Sequence, residues 1–350
     1  MKAVEKGNLT AIKKLIAFGA NVNAKDEDGW TTLMRAAEHN DNPEIVKTLI
    51  DAGADIDVKN RFSETALLLA VKHSKNPEII KILIDAGADI NAKDNWGETA
   101  LISAVIHNNP DIIKMLIAAG ADVNTKDIYS KTPLMLAARH NNPDIIKMLI
   151  TAGADINANY DETALMRAAG NDNPEIIKTL IAAGADIHKM ALLAAAYQNN
   201  PEFVTTLLAA GAEVNAKNKD GETALMCAAR YNENPEITQI LIDAGADVNA
   251  ENRYGETALW YAIKNRYNPK PKVIKKLVAG GADVNAKDGR DKTVLMQAVS
   301  NENPEIVKIL LGAGADVNAK DKYNNTAWSY SFFNKDIQKI LVDAGAANWD

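Results

Sequence analysis

A glycine followed by alanine recurs along this chain at an almost constant interval, and this repetition limits the possible folds more than any other feature. The glycines are Gly19, Gly53, Gly87, Gly120, Gly153, Gly184, Gly211, Gly245, Gly281, Gly314 and Gly345, with successive spacings of 34, 34, 33, 33, 31, 27, 34, 36, 33 and 31 residues. A fixed period of this length is typical of repeat proteins, in which each unit packs only on its neighbours. We therefore predict eleven units, the first of them partial, in a single continuous domain over residues 1–350.

Each unit contains the signals of two helices and an outer loop. In residues 99–124, Thr99 can cap a first helix whose apolar residues recur at helical spacing. Asn109 and Pro110 suit the start of a second helix, because Asn is a good N-cap and Pro lacks only an N–H that would have no partner there. Gly120 can end this helix in the left-handed conformation. The unit is therefore predicted to be helix, helix and a hairpin-like loop.

This unit resembles the ankyrin repeat, and the resemblance covers the whole chain. The matching motifs are the period of about 33 residues, T-P-L-M-L-A at residues 132–137 and G-A-D-V-N-A at residues 245–250. The resemblance implies an all-α solenoid of helix pairs joined by β-hairpin-like loops, and protein recognition through its concave face and hairpin tips. The chain departs from the family where a histidine usually follows T-P-L. The residues found there are Met34, Leu68, Ile102, Met135, Met166, Leu193, Met226, Trp260 and Met296, which we expect to fill the core between repeats.

Three units differ from the others. Residues 1–26 form a partial first repeat, which is either an N-terminal cap or the start of a segment inside a longer protein, and residues 322–350 are predicted to cap the C-terminal end. Residues 185–211 lack the hairpin and keep only His188 and Lys189 as a bridge. We expect a notch there in the row of hairpin tips, which either bounds or admits part of the partner, or is a neutral loss of loop residues.

The composition restricts the classes of function. The chain is 47% hydrophobic and 24% charged, with a net charge of -7 and no apolar run long enough to cross a bilayer. An acidic balance argues against a nucleic-acid partner, which would require a basic face. The single Cys227 excludes an internal disulfide, which favours a soluble protein of the cytoplasm over a secreted one without identifying the compartment.

Aromatic residues recur at one position of the repeat, the third residue before the threonine that starts each first helix. We call this the tip position, because it should lie at the end of a hairpin. The aromatic residues at this position are Phe62, Trp96, Tyr129, Tyr160, Tyr254 and Tyr323. Three other units have Asp28, Asp220 and Arg290 there, and Trp30 lies two residues after Asp28 in the same loop. Exposed aromatics are candidate anchors for a protein partner. The alternative is that each ring packs on the neighbouring hairpin and only stiffens it.

A second column lies near the end of the first helix. It contains four of the five histidines, His39, His73, His107 and His140, and its neighbourhood includes Lys72, Arg139, Arg230 and Tyr231. A shared zinc ion does not fit this spacing, because packed helices are about 8–10 Å apart whereas each nitrogen must lie about 2 Å from the metal. We interpret the column as an inherited feature of the repeat that can also contact a partner, in which case protonation of the histidines would make that binding depend on pH.

Catalytic motifs were sought and none was found. The chain lacks a P-loop, a dinucleotide glycine fingerprint, H-E-x-x-H and G-x-S-x-G, and Cys227 fits a small core residue better than a nucleophile. The basic residues 264–276 are interpreted as a solvated turn, and the aromatic residues 326–336 as a cap over the last core layer. The sequence thus predicts a monomeric, non-enzymatic scaffold that needs no cofactor and binds a protein. The alternative is a structural, self-assembling repeat protein.

Overall fold

The computed structural model describes residues 1–39, 42–74, 76–140, 142–158, 163–170, 173–187, 189–264, 269–332 and 334–347. Twenty-one α-helices and one 3-10 helix lie within these ranges. Regular strands are absent from the described segments, where two isolated bridges, Lys25 with Thr31 and Lys287 with Thr293, are the only β pairings. The all-α class predicted from the repeat is therefore confirmed.

The helices alternate between the first and second position of successive repeats. The first helices are α1 (Lys2–Glu5), α3 (Thr32–His39), α5 (Ala66–His73), α7 (Ala100–Ile106), α9 (Pro133–His140), α11 (Ala164–Ala168), α13 (Lys189–Tyr197), α15 (Ala224–Tyr231), α17 (Ala258–Lys264) and α19 (Val294–Ser300). The second helices are α2 (Leu9–Ala17), α4 (Pro43–Asp51), α6 (Pro77–Asp85), α8 (Pro110–Ala118), α10 (Pro143–Thr151), α12 (Pro174–Ala182), α14 (Pro201–Ala209), α16 (Glu236–Asp243), α18 (Pro271–Ala279), α20 (Pro304–Gly312) and α21 (Lys335–Asp343). In the last repeat the 3-10 helix Trp328–Tyr330 replaces the first helix.

The predicted capping residues act as expected. The hydroxyl of Thr99 accepts the N–H of Ile102 at 3.3 Å, and Asn109 Oδ1 accepts the N–H of Ile112 at 3.2 Å. Gly120 follows α8 with φ of 91°, and the next residue's N–H bonds back to Leu116 O at 3.0 Å. These bonds satisfy groups that a helix end leaves without partners, so the helix boundaries follow from the local sequence.

The chain packs as two compact units. One consists of Met1–Ala168 with Lys178–Ala185, and the other of Ala169–Ile177 with Asp186–Asp350. Within the first unit, α5 packs on α3 and α7, and α7 packs on its own α8. Within the second unit, α15 packs on α13 and α17 in the same manner. The single continuous domain remains a prediction from the period of the sequence.

Leucine, isoleucine and alanine side chains fill the space between the helices of each unit. Leu101, Ala104 and Val105 of α7 are fully buried, as are Ile113 and Leu116 of α8. Small alanines at the helix contacts allow the first helices of adjacent repeats to lie close together. Both helices of the repeat at 185–211 are present, as predicted, while His188 and the predicted notch lie outside the described residues.

The methionines in place of the family histidine do more than fill the core. In five repeats a buried or half-buried methionine sulfur accepts the backbone N–H of the threonine cap, as in the 3.5 Å contact from Thr132 N to Met135 Sδ. Met135 N donates in return to the Thr132 hydroxyl at 3.3 Å. The thioether is a weak acceptor, so each methionine supplies a reciprocal cap that an aliphatic residue cannot supply.

Asparagine in the G-A-D-V-N motif joins each repeat to the next. Asn91 Nδ2 donates to Gly120 O at 3.3 Å, and Asn91 Oδ1 accepts the N–H of Asp122 at 2.8 Å. The same donation to a glycine carbonyl is made by Asn23, Asn124, Asn157, Asn215, Asn249 and Asn318. Each asparagine thus caps the C-terminus of the following second helix, which has carbonyls without intrahelical partners.

The interpretation of residues 264–276 as a solvated basic turn is wrong for Lys270. This side chain is buried, and its ammonium donates to the carbonyls of Ala229 at 3.3 Å and of Arg230. Burial lowers the pKa of Lys270 to about 8, an effect that the charge of Glu233 only partly opposes. The long side chain reaches back to the end of α15, so its position in a basic run did not indicate its environment.

No helix in the described ranges is both long enough and apolar enough to span a membrane.

Candidate functional site

The hairpin tips are held by an acidic or amide side chain at the start of each turn. Asp94 Oδ1 accepts the N–H groups of Trp96 and Glu98, each at 2.9 Å, and Asp94 O accepts the N–H of Gly97 at 3.0 Å. The same pair of side-chain bonds is made by Asp26, Asn60, Asp127, Asn218, Asn252, Asp288 and Asp321. These residues lie five positions before each threonine, a recurrence that sequence reasoning missed although it is visible in the sequence.

Neighbouring tips are also connected through their backbones. In the first unit the tip carbonyls of Phe62 and Trp96 accept N–H groups from the next hairpin at 3.0 Å. In the second unit the carbonyls of Asp220 and Tyr254 accept such bonds at 3.1 Å, and Arg290 O accepts one at 3.3 Å. The hairpins are therefore joined by main-chain bonds, so the aromatic side chains are not needed for this connection.

Four tip aromatics project into solvent. Trp96 is 46% exposed, Tyr129 and Tyr323 are each 67% exposed, and Tyr254 is 59% exposed. Phe62 is half-buried and stacks on Trp96 with ring centroids 6.4 Å apart and an angle of 19° between the planes. The alternative that a tip ring packs on the neighbouring hairpin therefore applies to Phe62, whereas Trp96 keeps an exposed surface. The remaining tip aromatic, Tyr160, lies outside the described residues.

Trp30 is buried, in contrast to the surface position expected for an aromatic of the outer loop. Only 9% of the residue is exposed, and the guanidinium of Arg35 lies 4.1 Å from the ring centroid. Arg35 is held there by Asp26 at 3.1 Å and Glu38 at 3.7 Å. Because these groups cover the indole, Trp30 offers little area to a partner, and its contact with one remains a prediction.

The histidine column lies at the C-terminal ends of α3, α5, α7 and α9, and all four side chains are exposed. His39 Nε2 lies 2.7 Å from Glu38 Oε2, and His107 Nδ1 lies 2.8 Å from Ser103 O. Desolvation and the adjacent Arg139, which is itself exposed, lower the pKa of His140. Among the described residues no group of three His, Cys, Asp or Glu side chains could hold a metal ion.

A charge cluster lies beside the tip aromatics of the first unit. Lys72 Nζ is 2.9 Å from Asp94, 3.0 Å from Glu64 and 3.7 Å from Glu98, and 5.9 Å from the centroid of the Trp96 ring. The ammonium of Lys72 therefore forms ion pairs with three carboxylates. Burial raises the pKa of Glu98. The positive charge of Lys72 acts in the opposite direction, and the negative charge of Asp94 offsets part of this lowering.

The second unit contains a polar groove that runs along its hairpins and first helices. Tyr261 Oη donates to Glu222 at 2.7 Å, and Arg230 lies above the Tyr261 ring at 5.3 Å and above the Tyr231 ring at 5.1 Å. Tyr231, 44% exposed, also meets Tyr197 edge to face at 4.5 Å. Arg230, predicted to contact a partner, lines this groove, and Tyr231, also predicted to contact one, is exposed next to Arg230.

Cys227 has the environment of a structural thiol. Its burial, with a contribution from Glu222, raises the pKa of the thiol to about 12. At neutral pH the reactive thiolate is therefore a negligible fraction of the side chain.

The helix pairs, their capping residues and their hairpins define an all-α repeat protein that exposes a row of loop tips. Comparison with protein families gives the same result. The family model described as Ankyrin repeats (3 copies) matches residues 1–94, 33–127, 127–191, 192–288 and 266–350, which together cover the whole chain. The chain belongs to the ankyrin repeat family, whose repeats are generally protein–protein interaction modules. A search of curated proteins found no match.

Proposed function

We propose that this protein is a non-enzymatic scaffold that binds a partner protein through its hairpin tips and the ends of its first helices. The observation that carries the proposal is the exposure of Trp96, Tyr129, Tyr254 and Tyr323 on turns that are fixed by backbone and side-chain hydrogen bonds. A preordered turn loses little conformational entropy on binding, and an aromatic side chain buries a large area for few rotatable bonds. Both properties favour an interface at the tips.

The arrangement of charges supports the same face. Lys131 lies 5.2 Å from the Tyr129 ring centroid, Arg253 lies 6.0 Å from that of Tyr254, and Lys322 lies 5.1 Å from that of Tyr323. Three of the four exposed rings therefore have a cation close to the ring, and the fourth, Trp96, lies near Lys72 of the charge cluster. Tryptophan and tyrosine side chains are enriched among the residues that dominate the binding energy of protein interfaces.

Capture from a lysate of the source organism tests the proposal. One variant carries Trp96→Ala and Tyr129→Ala, and a second carries Tyr254→Ala and Tyr323→Ala. The control carries Leu15→Ala and Phe18→Ala, which remove exposed apolar side chains from the α2 region without altering a tip. All three must match the parent protein in helicity and cooperative melting before they are compared.

We expect the parent and the control to capture the same partner, and at least one tip variant to lose it. Affinity measured with that purified partner should fall by about tenfold or more, as expected for interface anchors. Equal affinity of both tip variants and the parent would show that the partner binds elsewhere.

Self-association is the second candidate, and one side chain favours it. Phe332 is 78% exposed beside the half-buried Trp328, so the aromatic segment 326–336 does not cap the core with all of its rings. If this patch joins two copies, the mass in solution will rise with concentration, and Phe332→Ser will abolish the rise. A constant mass from micromolar to submillimolar concentration would exclude this function.

A further inference from the structure

A groove with a volume of about 1130 Å³ lies within the second unit, between its hairpins and first helices. Four tyrosines line it, two from tips and two from first-helix segments: Tyr254, Tyr323, Tyr261 and Tyr330. The buried Trp260 also contributes to the lining, and its indole N–H has no hydrogen-bond partner among the described residues. The groove is long and polar, which suits an extended peptide better than a compact small molecule.

Cations and carboxylates are paired in one half of this groove. Arg253 lies 2.6 Å from Asp220, and Lys264 lies 2.7 Å from Glu256. Arg230 approaches Glu222 at 3.5 Å. The charges in this half compensate one another, so they provide no net attraction for a charged ligand.

The other half contains two cations that lack such partners. In the described segments no carboxylate oxygen lies within 4 Å of the Arg290 guanidinium or of Lys292 Nζ. Lys292 donates instead to two neutral groups, Gln297 Oε1 at 2.9 Å and Ser300 Oγ at 3.1 Å. Its ammonium also lies 4.6 Å from the centroid of the Tyr330 ring.

The nearest carboxylates are committed to the hairpins. Asp288 accepts the N–H groups of Arg290 at 2.8 Å and of Lys292 at 3.0 Å. Asp321 accepts the Tyr330 hydroxyl at 2.7 Å, the amide of Asn325 and two backbone N–H groups. Both aspartates are therefore fixed by their hairpins, and in the described residues neither carboxylate lies within 4 Å of the two cations.

Burial acts directly on Lys292. Desolvation lowers the pKa of this half-buried ammonium, and Asp288 and Asp321 oppose the effect only from a distance. A carboxylate placed against Lys292 would form a charge-assisted hydrogen bond and recover part of the lost solvation. Arg290, exposed on the same rim, can form a bidentate pair with a second carboxylate or share the first.

We infer that this end of the groove binds a glutamate or aspartate side chain of an extended acidic segment in the partner protein, with Lys292 and Arg290 as donors and Tyr323 and Tyr330 beside the peptide. The inference rests on the proposed function and adds the chemistry of the partner. The chain as a whole has a net charge of -7, so general electrostatic attraction cannot bring an acidic peptide to it. Binding of such a peptide would therefore report on this local site.

The test uses the full chain and three fluorescein-labelled peptides of about ten residues, a length typical of extended recognition segments. In the first, glutamate alternates with alanine; in the second, glutamine replaces glutamate; in the third, phosphoserine replaces it. Affinities are measured by fluorescence anisotropy at low and at physiological salt. The groove variant is Arg290→Gln with Lys292→Gln, and the matched control is Lys275→Gln with Lys308→Gln, which removes two exposed cations from second helices outside the groove.

We expect the glutamate peptide to bind more tightly than the glutamine peptide. The groove variant should weaken its binding by about tenfold or more, and the control by less than about twofold. Arg290→Gln alone changes an exposed side chain and should weaken binding by roughly threefold. This single variant tests the inference if the double variant does not fold.

Three results would overturn the inference: no preference for glutamate over glutamine up to millimolar concentration, an equal loss in the control variant, or binding of the phosphoserine peptide alone. The last would assign the site to phosphate. Partner capture by the tips together with no glutamate preference would overturn only this inference. Glutamate preference together with unchanged capture by both tip variants would overturn only the proposed role of the tips.

Discussion

Single side chains determine how well one repeat is joined to the next, and Asp57 is a natural exception. It occupies the position of Asn91 and accepts the N–H of Asp89 at 2.8 Å, but a carboxylate has no N–H to donate to Gly87 O. Its negative charge also lies near the C-terminus of α6, where the helix dipole disfavours it. Asp57→Asn should therefore raise the free energy of unfolding by about 0.5–1.5 kcal/mol, measured by urea denaturation.

The reverse change, Asn124→Asp, provides the matched comparison. It removes the 3.1 Å bond to Gly153 O and should lower stability by a similar amount. If the two substitutions change stability in the same direction, the asparagine bond is not the cause of the difference.

At the scale of an element, the start of α18 contains a charge whose cost depends on pH. The pKa of Lys270 is about 8 in the folded protein, against 10.5 as its ordinary value. Between these values the unfolded chain binds more protons, so stability rises with pH from about 8 to 10.5, and below pH 8 the full cost remains. Lys270→Gln removes the charge and keeps a shorter N–H donor, so it should raise the free energy of unfolding at pH 7 by on the order of 1 kcal/mol.

Thermal melts of the parent and of Lys270→Gln across pH 7 to 10.5 measure this difference, with the exposed Lys272→Gln as control. The difference in melting temperature between parent and variant should become smaller as the pH rises, because deprotonation removes the buried charge from the parent. A gap that stays constant over this range would mean that the ammonium of Lys270 is not desolvated.

Capping and turn chemistry could be predicted from the sequence because it acts within about four residues. Thr99, Asn109 and Gly120 meet their partners in the same helix, so a local pattern was sufficient. The burial of Lys270 could not be predicted, since the carbonyls that it contacts belong to the preceding repeat. The same holds for the Arg253–Asp220 ion pair of the groove, whose members come from adjacent repeats.

At the scale of the whole molecule, the destabilising effect of a core substitution should become smaller with distance along the repeats. Leu101 is fully buried between the first helices of the first unit. Leu101→Ala should cost about 2–5 kcal/mol, because it leaves a cavity in a packed core. Since each repeat contacts only its neighbours, amide hydrogen exchange should increase most in α5 to α9 and least in α1 and α2 of the same unit. Uniform acceleration over the unit would indicate one cooperative core instead.

The asparagine bonds between repeats have a consequence for how such a chain can change in evolution. Each repeat presents a donor and an acceptor at one edge and a glycine carbonyl and an N–H at the other, as Asn91 does toward Gly120 and Asp122. The two edges are complementary for almost every pair of neighbours, so a duplicated or excised repeat leaves ends that fit together. Chain length within a unit can therefore change by whole repeats while the bonds between repeats stay the same. The tip side chains, which take no part in the asparagine bonds, are free to acquire new partners.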